Sequence, residues 1–285
     1  MFDDPLIDPQ PAAPTGKRKL KPGDPHLRAY VGPPNQYDFM GMTQLALLYS
    51  LGLRETHKVL DIGCGSLRAG RLLIPLLRPR GYFGIEPNKW LVKDGLRENV
   101  GRDMVEKKKP RFDFNADFDC SVFGIKFDFI VAQSILSHTE TELARRCIAN
   151  AAAELQPGGV FVATFFPTGG VQPVNPPGDA WVYPGCIAFE PEIAEGLFRS
   201  AGLHAWRLPW FHPRQYWLAG SHQADRLSAA DMAGLSGYVV GSETLVKKRR
   251  LDHLAALAAA ADEPGGADEP GGDAPVESAP ESADG

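Results

Sequence analysis

Apolar positions between Gln36 and Ala219 switch repeatedly between a helical and a strand spacing. From Gln36 to Leu51, Phe39, Met42, Ala46 and Tyr49 share one face, which predicts a helix. Short apolar runs and helical stretches then take turns. His57–Ile62 predicts a strand, Leu67–Leu77 a helix, Tyr82–Glu86 a strand and Asn88–Asn99 a helix. Arg111–Ala116 and Phe127–Gln133 read as strands. Leu143, Cys147, Ile148, Ala151 and Leu155 form the apolar face of a helix over Glu140–Leu155, and Thr139 with Glu142 has the spacing of a capping box. Gly158-Gly159 turns the chain into Val160–Phe166, a run of buried-strand character. Strands alternating with helices predict an α/β fold, with a parallel sheet covered by helices on both faces.

The pattern changes after Phe166. Pro167–Gly178 is rich in Pro and Gly and has no period. A helix at Pro191–Ser200 precedes two aromatic strands, Leu203–Trp210 and Gln215–Ala219. Strands this close together pair as an antiparallel hairpin, because a parallel link needs a dozen or more residues. At the N-terminal end, residues 1–36 hold eight prolines and little periodicity, which predicts a flexible segment. An Ala-rich helix is expected over Ser242–Ala261. Beyond it, residues 262–285 are almost all Asp, Glu, Gly, Ala, Pro and Ser, the composition of a disordered acidic tail. The expected organisation is thus a flexible 1–36, a domain over 37–261 with a lid insertion near 167–190, and the tail.

Composition narrows the class. The chain is 44% hydrophobic and 23% charged, which excludes a collagen, a coiled coil or a wholly disordered protein. No apolar run is long enough to span a membrane, and MFDDPLIDPQ lacks the pattern of a secretory signal. The four cysteines show no C-x-x-C pair, so a disulfide framework or zinc site is not expected and a cytoplasmic location is. The net charge of −5 belongs to the tail, whose eight acidic residues stand with no Lys or Arg. Without them residues 1–261 carry +3, and removing the five basic and four acidic residues of 1–36 leaves the body at +2. A near-neutral body without a dense basic face does not suggest a nucleic-acid partner.

The strongest chemical signal is Val59-Leu60-Asp61-Ile62-Gly63-Cys64-Gly65-Ser66. An apolar strand ends at an acidic residue and a Gly-x-Gly turn, and a helix follows. Such glycines let backbone approach a ligand where a Cβ would collide, and the helix start offers free N–H groups. Glu86 ends the next strand, where a carboxylate can accept both hydroxyls of a ribose. These features predict a nucleoside-containing ligand. The G-x-G-x-x-G dinucleotide fingerprint fails, since Arg68 stands three residues after Gly65. Asp61 would also repel a pyrophosphate, but it suits a ligand with an ammonium group.

Val59–Ser66 (VLDIGCGS), Tyr82–Pro87 (YFGIEP), Asp117-Phe118, Phe127–Ser134 (FDFIVAQS) and Leu155–Phe161 (LQPGGVF) together resemble the class I S-adenosylmethionine-dependent methyltransferases. The resemblance covers roughly residues 57–166. The fuller string DIGCGSLRAGR…YFGIEPNKWLV is similar to a bacterial branch acting on small molecules or glycans. The resemblance implies a Rossmann-like seven-stranded sheet, mostly parallel, with an antiparallel final strand, and S-adenosylmethionine as cofactor. It implies that Asp61, Gly63 and Gly65 line the amino-acid end of the cofactor and that Glu86 binds the ribose. Asp117 would take the adenine amino group beside the backbone of Phe118, with Asp119 as a rival two residues on. Gln133 would face the methionine part and the acceptor. Arg68 either pairs with the cofactor carboxylate or faces solvent, and Trp90 either stacks on adenine or packs in the core.

Methyl transfer to an alcohol or phenol calls for a base. His138, just past the fourth strand, is the first candidate, and His212, in the turn of the late hairpin, is the second. Trp181 and Tyr183, in the position where this superfamily builds a lid, are candidates for the acceptor pocket. The reading is O-methylation of a small molecule or glycan, with no metal. N-methylation on the same fold and a non-catalytic cofactor-binding module are the alternatives.

Overall fold

The computed structural model describes residues 19–169 and 173–236. The expected helix at Ser242–Ala261 and the acidic tail lie outside them. Seven strands form one sheet: β1 (Val59–Ile62), β2 (Tyr82–Ile85), β3 (Arg111–Asp113), β4 (Phe127–Ala132), β5 (Leu155–Phe165), β6 (His204–Leu208) and β7 (Tyr216–Ser221). Their order is β3-β2-β1-β4-β5-β7-β6. β1 to β5 pair in parallel, and β7 runs antiparallel between β5 and β6. β5 begins earlier than expected, because Leu155 already pairs with Phe127 before a register shift carries the strand past Pro157. A bulge tolerates the proline's missing N–H.

Every residue of β1 and β2 is buried. Alternate side chains feed two separate cores. Leu60 and Ile62 pack with α5 (Thr141–Ala153) and α6 (Pro191–Ser200), while Val59, Tyr82 and Val131 pack with α1 (Tyr37–Ser50) and α2 (Gly70–Leu76). α3 (Lys89–Gly95), α4 (Arg102–Lys108) and α7 (Ala229–Leu235) complete the helices. The parallel sheet covered on both faces is therefore as the pattern predicts.

Four local expectations need correction. The inward face of α1 is Met40, Gln44, Leu47 and Leu48, while Met42 and Tyr49 are 47% and 52% exposed. Gly41 sets that face, since a Cβ there would stand 2.4 Å from the Arg68 carbonyl oxygen. α2 starts at Gly70 and not at Leu67, because Leu67 has φ +62° and belongs to the preceding turn. The Thr139–Glu142 capping box does not form. Thr139 Oγ1 donates to Leu136 O, and the carbonyls of Pro176 and Gly178 receive the N–H groups of Thr141 and Glu142. The N-terminal segment, finally, is folded from Lys19 onward, as its contacts below show.

The sequence order reverses between β1 and β4, so the crevice outside their carboxyl ends is the place where α/β sheets take ligands.

Candidate active site

A cavity of about 550 Å³ opens at that crevice. The turn after β1 forms its floor. Gly63 and Gly65 adopt φ +66° and +53°, and a Cβ on Gly63 would meet Ile135 Cδ1 at 2.0 Å. Only glycine accepts both the left-handed backbone and that approach. Two carboxylates face the turn. Asp61, 4% exposed, accepts a hydrogen bond from Tyr82 Oη at 2.8 Å. Burial pushes its carboxyl up to about 7, with Glu86 adding to the rise and Tyr82 and Arg68 opposing it. Glu86, 6% exposed, accepts from Gly65 N at 3.0 Å and from Asn88 N and Nδ2 at 2.9 and 2.8 Å. Burial raises its pKa as well, against those hydrogen bonds.

Arg68 lies in the cavity wall, half-buried, and Nη1 donates to Val31 O at 2.8 Å. Solvent-facing is therefore the wrong description of it. The acceptor of that bond belongs to the N-terminal segment, which forms a strap across the turn. Ser66 Oγ donates to Leu27 O at 2.5 Å, and Tyr30 packs edge-on against Trp90 with centroids 5.2 Å apart. Pro22, Tyr30, Val31 and Pro33 all line the cavity. Trp90, 5% exposed, lies behind Tyr30 and does not line it.

At the adenine end of the expected cofactor, the wall is Asn115, Ala116 and Phe118. Asp117 between them is exposed and is not among the lining residues. The turn is held by Asn115, whose Nδ2 donates to Asp113 Oδ1 and Asp119 O and whose Oδ1 accepts from Asp119 N. Phe118 sits at φ +62° and is buried. Asp119 accepts from Ser121 N and Oγ, so it caps the short helical turn Cys120–Phe123.

The carboxyl end of β4 supplies Gln133, 5% exposed, in the cavity wall. Both atoms of its amide lack a partner among the described residues. Buried amides are normally paired, so this one is free to bind water or a ligand in the cavity. His138 also lines the cavity. Its Nδ1 donates to the Gly185 carbonyl, which leaves Nε2 with the ring's lone pair. Burial lowers its pKa below 6.5, helped by the charge of Arg214. Its ring meets Tyr183 edge-on at 5.1 Å and Trp181 at 5.7 Å. Trp181 and Tyr183 stand in the insertion after β5 and line the cavity, stacked with centroids 6.4 Å apart. Val182 N donates to His138 O, and Ile187 N to Ser137 O, so this insertion is tied to the segment after β4.

His212 has the opposite tautomer. Its Nδ1 accepts from Arg214 N at 3.2 Å and Gln215 N at 2.8 Å, so the neutral ring carries its proton on Nε2. Burial, with Arg68 and Arg214, pushes its pKa down to about 3. The ring lies in the cavity wall as a neutral donor, and its buried Nε2 has no partner among the described residues. A base is the wrong description of His212, because the nitrogen with the lone pair is already occupied by backbone.

The cavity thus joins Asp61, Gly63, Gly65, Arg68, Glu86, Phe118, Gln133, His138, Trp181, Tyr183 and His212, and leaves Asp117 outside. Tyr30, Asn115, Arg214 and Gln215 line it without any sequence motif that marks them. No curated protein matches the chain. A solved magnesium protoporphyrin IX methyltransferase from Synechocystis PCC 6803, with bound SAH, is similar over 73% of this chain and 90% of its own, at 16% identity and a TM-score of 0.51. The CcbJ methyltransferase from Streptomyces caelestis is similar over 67% of this chain and 97% of its own, at 15% identity and a TM-score of 0.49. Residues 60–161 match the family model of a methyltransferase domain. That match spans the glycine turn, Glu86 and Gln133, and the seven-stranded sheet around it shares its fold with the solved Synechocystis methyltransferase.

Proposed function

We propose that the protein is an S-adenosylmethionine-dependent O-methyltransferase acting on a small molecule or sugar hydroxyl, with His138 as base. The residues fit the cofactor. Asp61 offers a carboxylate to its ammonium group, and Arg68 a guanidinium to its carboxylate. Glu86 keeps one lone pair, on Oε2, for a ribose hydroxyl after its three backbone and side-chain bonds. Asn115 and Phe118 bound the adenine end. The orphaned amide of Gln133 faces the methionine part. When bound, S-adenosylmethionine supplies a methyl group already activated on a sulfonium.

The chain's own task is to position an acceptor and take its proton. Trp181 and Tyr183 offer stacked aromatic faces to a flat or sugar ring. The observation that carries the O-methylation reading is the tautomer of His138. With Nδ1 anchored on Gly185, Nε2 is free to accept the hydroxyl proton, and the lowered pKa keeps the ring neutral at pH 7. The test is single-turnover transfer of labelled methyl to a panel of hydroxyl and amine acceptors. His138→Ala should lower kcat on a hydroxyl acceptor by about 10²–10⁴-fold while leaving the affinity for S-adenosylhomocysteine near wild type. Turnover that survives the substitution would instead point to a neutral amine, which needs less help from a base.

A further inference from the structure

We propose that the acceptor carries a carboxylate and that Arg214 binds it, with the His212 Nε2–H as a second donor. The proposal rests on the methyltransferase reading of the same cavity and names the class of acceptor within it. β7 runs antiparallel to β5, with Tyr216 opposite Phe165, so its first residues lie at the carboxyl ends of the parallel strands. The turn before it, residues 209–215, is thereby brought beside the segment after β4. Ser134 Oγ donates to Gln215 Oε1 at 3.3 Å across that junction. Arg214 projects from this turn as an exposed residue of the cavity wall. Among the described residues no carboxylate pairs with it.

Charge balance asks for an anion there. Two carboxylates, Asp61 and Glu86, and two guanidinium groups, Arg68 and Arg214, line the cavity. S-adenosylmethionine adds one net positive charge from an ammonium, a sulfonium and a carboxylate. Asp61, Glu86 and Arg68 have partners in that cofactor, and Arg214 has none. Its charge is felt at His138, His212 and Cys186 and also at Arg68, so it stands between the lid side of the cavity and the guanidinium assigned to the cofactor carboxylate. The hydrogen-bond inventory agrees. Of the cavity-lining side chains, Gln133 and His212 hold the buried polar atoms without partners among the described residues, and they present two donor groups and a single acceptor oxygen. Arg214 adds a fork of donors suited to the two oxygens of a carboxylate. A hydroxy acid with a flat ring would place its carboxylate on Arg214, its ring against Trp181 and Tyr183, and its hydroxyl toward His138.

The test uses the full chain loaded with S-adenosylhomocysteine and follows Trp181, 49% exposed in the cavity wall, by fluorescence. Probes come in pairs: benzoate with benzamide, 4-hydroxybenzoate with 4-hydroxybenzamide, phenylacetate with phenylacetamide, and phenyl phosphate alone. At least one acid should bind about tenfold or more tighter than its amide, and Arg214→Gln should abolish that preference. Arg214→Lys should restore part of it, since the charge returns without the fork. If no acid is preferred over its amide, absence of binding included, the proposal is overturned. It is also overturned if Arg214→Gln keeps the preference. Phenyl phosphate favoured over every carboxylate would overturn the carboxylate assignment in favour of a phosphorylated acceptor. Calorimetry with S-adenosylhomocysteine alone separates the two levels. Failure of the wild type to bind it sinks the cofactor reading, whereas about tenfold weaker binding only in Arg214→Gln would assign Arg214 to the cofactor carboxylate and overturn the acceptor role.

Discussion

Asp61 shows how a single buried carboxylate sets a binding equilibrium. It is 4% exposed, and burial pushes its pKa up to about 7. An ammonium group needs the ionised form. Below that pKa the carboxyl must release a proton before it can pair, so affinity should climb with pH, by up to about tenfold per unit, and level off above neutrality. Glu86, also raised by burial, works in the same direction. Calorimetry with S-adenosylhomocysteine between about pH 5.5 and 8.5 should show that rise, and proton release on binding at the acid end. Asp61→Asn should weaken binding at neutral pH and flatten most of the pH dependence; a profile as steep as wild type would remove Asp61 from the ammonium site. Position made Asp61 and Glu86 legible in the sequence, because a strand end beside a Gly-x-Gly turn is visible as a pattern. Histidine chemistry was not. His138 and His212 differ in which ring nitrogen a backbone group occupies, and that depends on Gly185 in one case and Arg214 and Gln215 in the other. The place of Asp117 was equally hidden: it stays out of the cavity lining in a turn held by the hydrogen bonds of Asn115.

At the scale of elements, the site is a turn held between a strand edge and a strap. Gly63→Ala would place a Cβ 2.0 Å from Ile135 Cδ1 and hold alanine at φ +66°. The expected cost is about 1–3 kcal/mol of stability, read from denaturant unfolding, together with loss of cofactor affinity. The strap makes a separate prediction. Val31 Cγ1 lies 2.7 Å from where a Gly65 Cβ would stand, and Tyr183 Oη donates to Tyr30 O. The strap therefore closes the cavity from one side and ties itself to the aromatic insertion on the other. Removing residues 1–33 should speed release of S-adenosylhomocysteine by about tenfold or more while the far-UV signal of the sheet persists. A release rate equal to wild type would make the strap a passive cover. Regular elements were legible because their periods are local. The strap was not, since its order comes from Leu27, Tyr30 and Val31 reaching Ser66, Trp90 and Arg68 across the fold, and prolines hide that in a flexible-looking composition.

Across the whole molecule, the sheet brings charge into a place that water leaves, and stability should record it. The order β3-β2-β1-β4-β5-β7-β6 puts the strand ends of β1, β2 and β4 around one cavity, so Asp61 and Glu86 come to lie close and buried together. Asp61 has a folded pKa of about 7 against an ordinary value of 3.8, so the folded state holds the proton that the unfolded chain has lost between those limits. Unfolding releases that proton, and the Asp61 contribution to stability falls as pH rises through the window and is lost above it. Glu86 adds the same sign. The ligand-free protein should accordingly melt at a lower temperature at pH 8 than at pH 6, as far as these two groups decide. S-adenosylhomocysteine should flatten the trend, because its ammonium holds Asp61 ionised in the folded state as it is in the unfolded chain. At a concentration about 100-fold above Kd it should add about 2.7 kcal/mol, or roughly 5–10 °C for a body of this size. At one fixed ligand concentration the shift should be larger at pH 8 than at pH 6, since affinity is weaker on the acid side. Thermal melts at both pH values, with and without the ligand, check both signs at once. A shift independent of pH would mean that Asp61 is already ionised in the free protein, and Asp61→Asn would then melt no differently at the two pH values than wild type does.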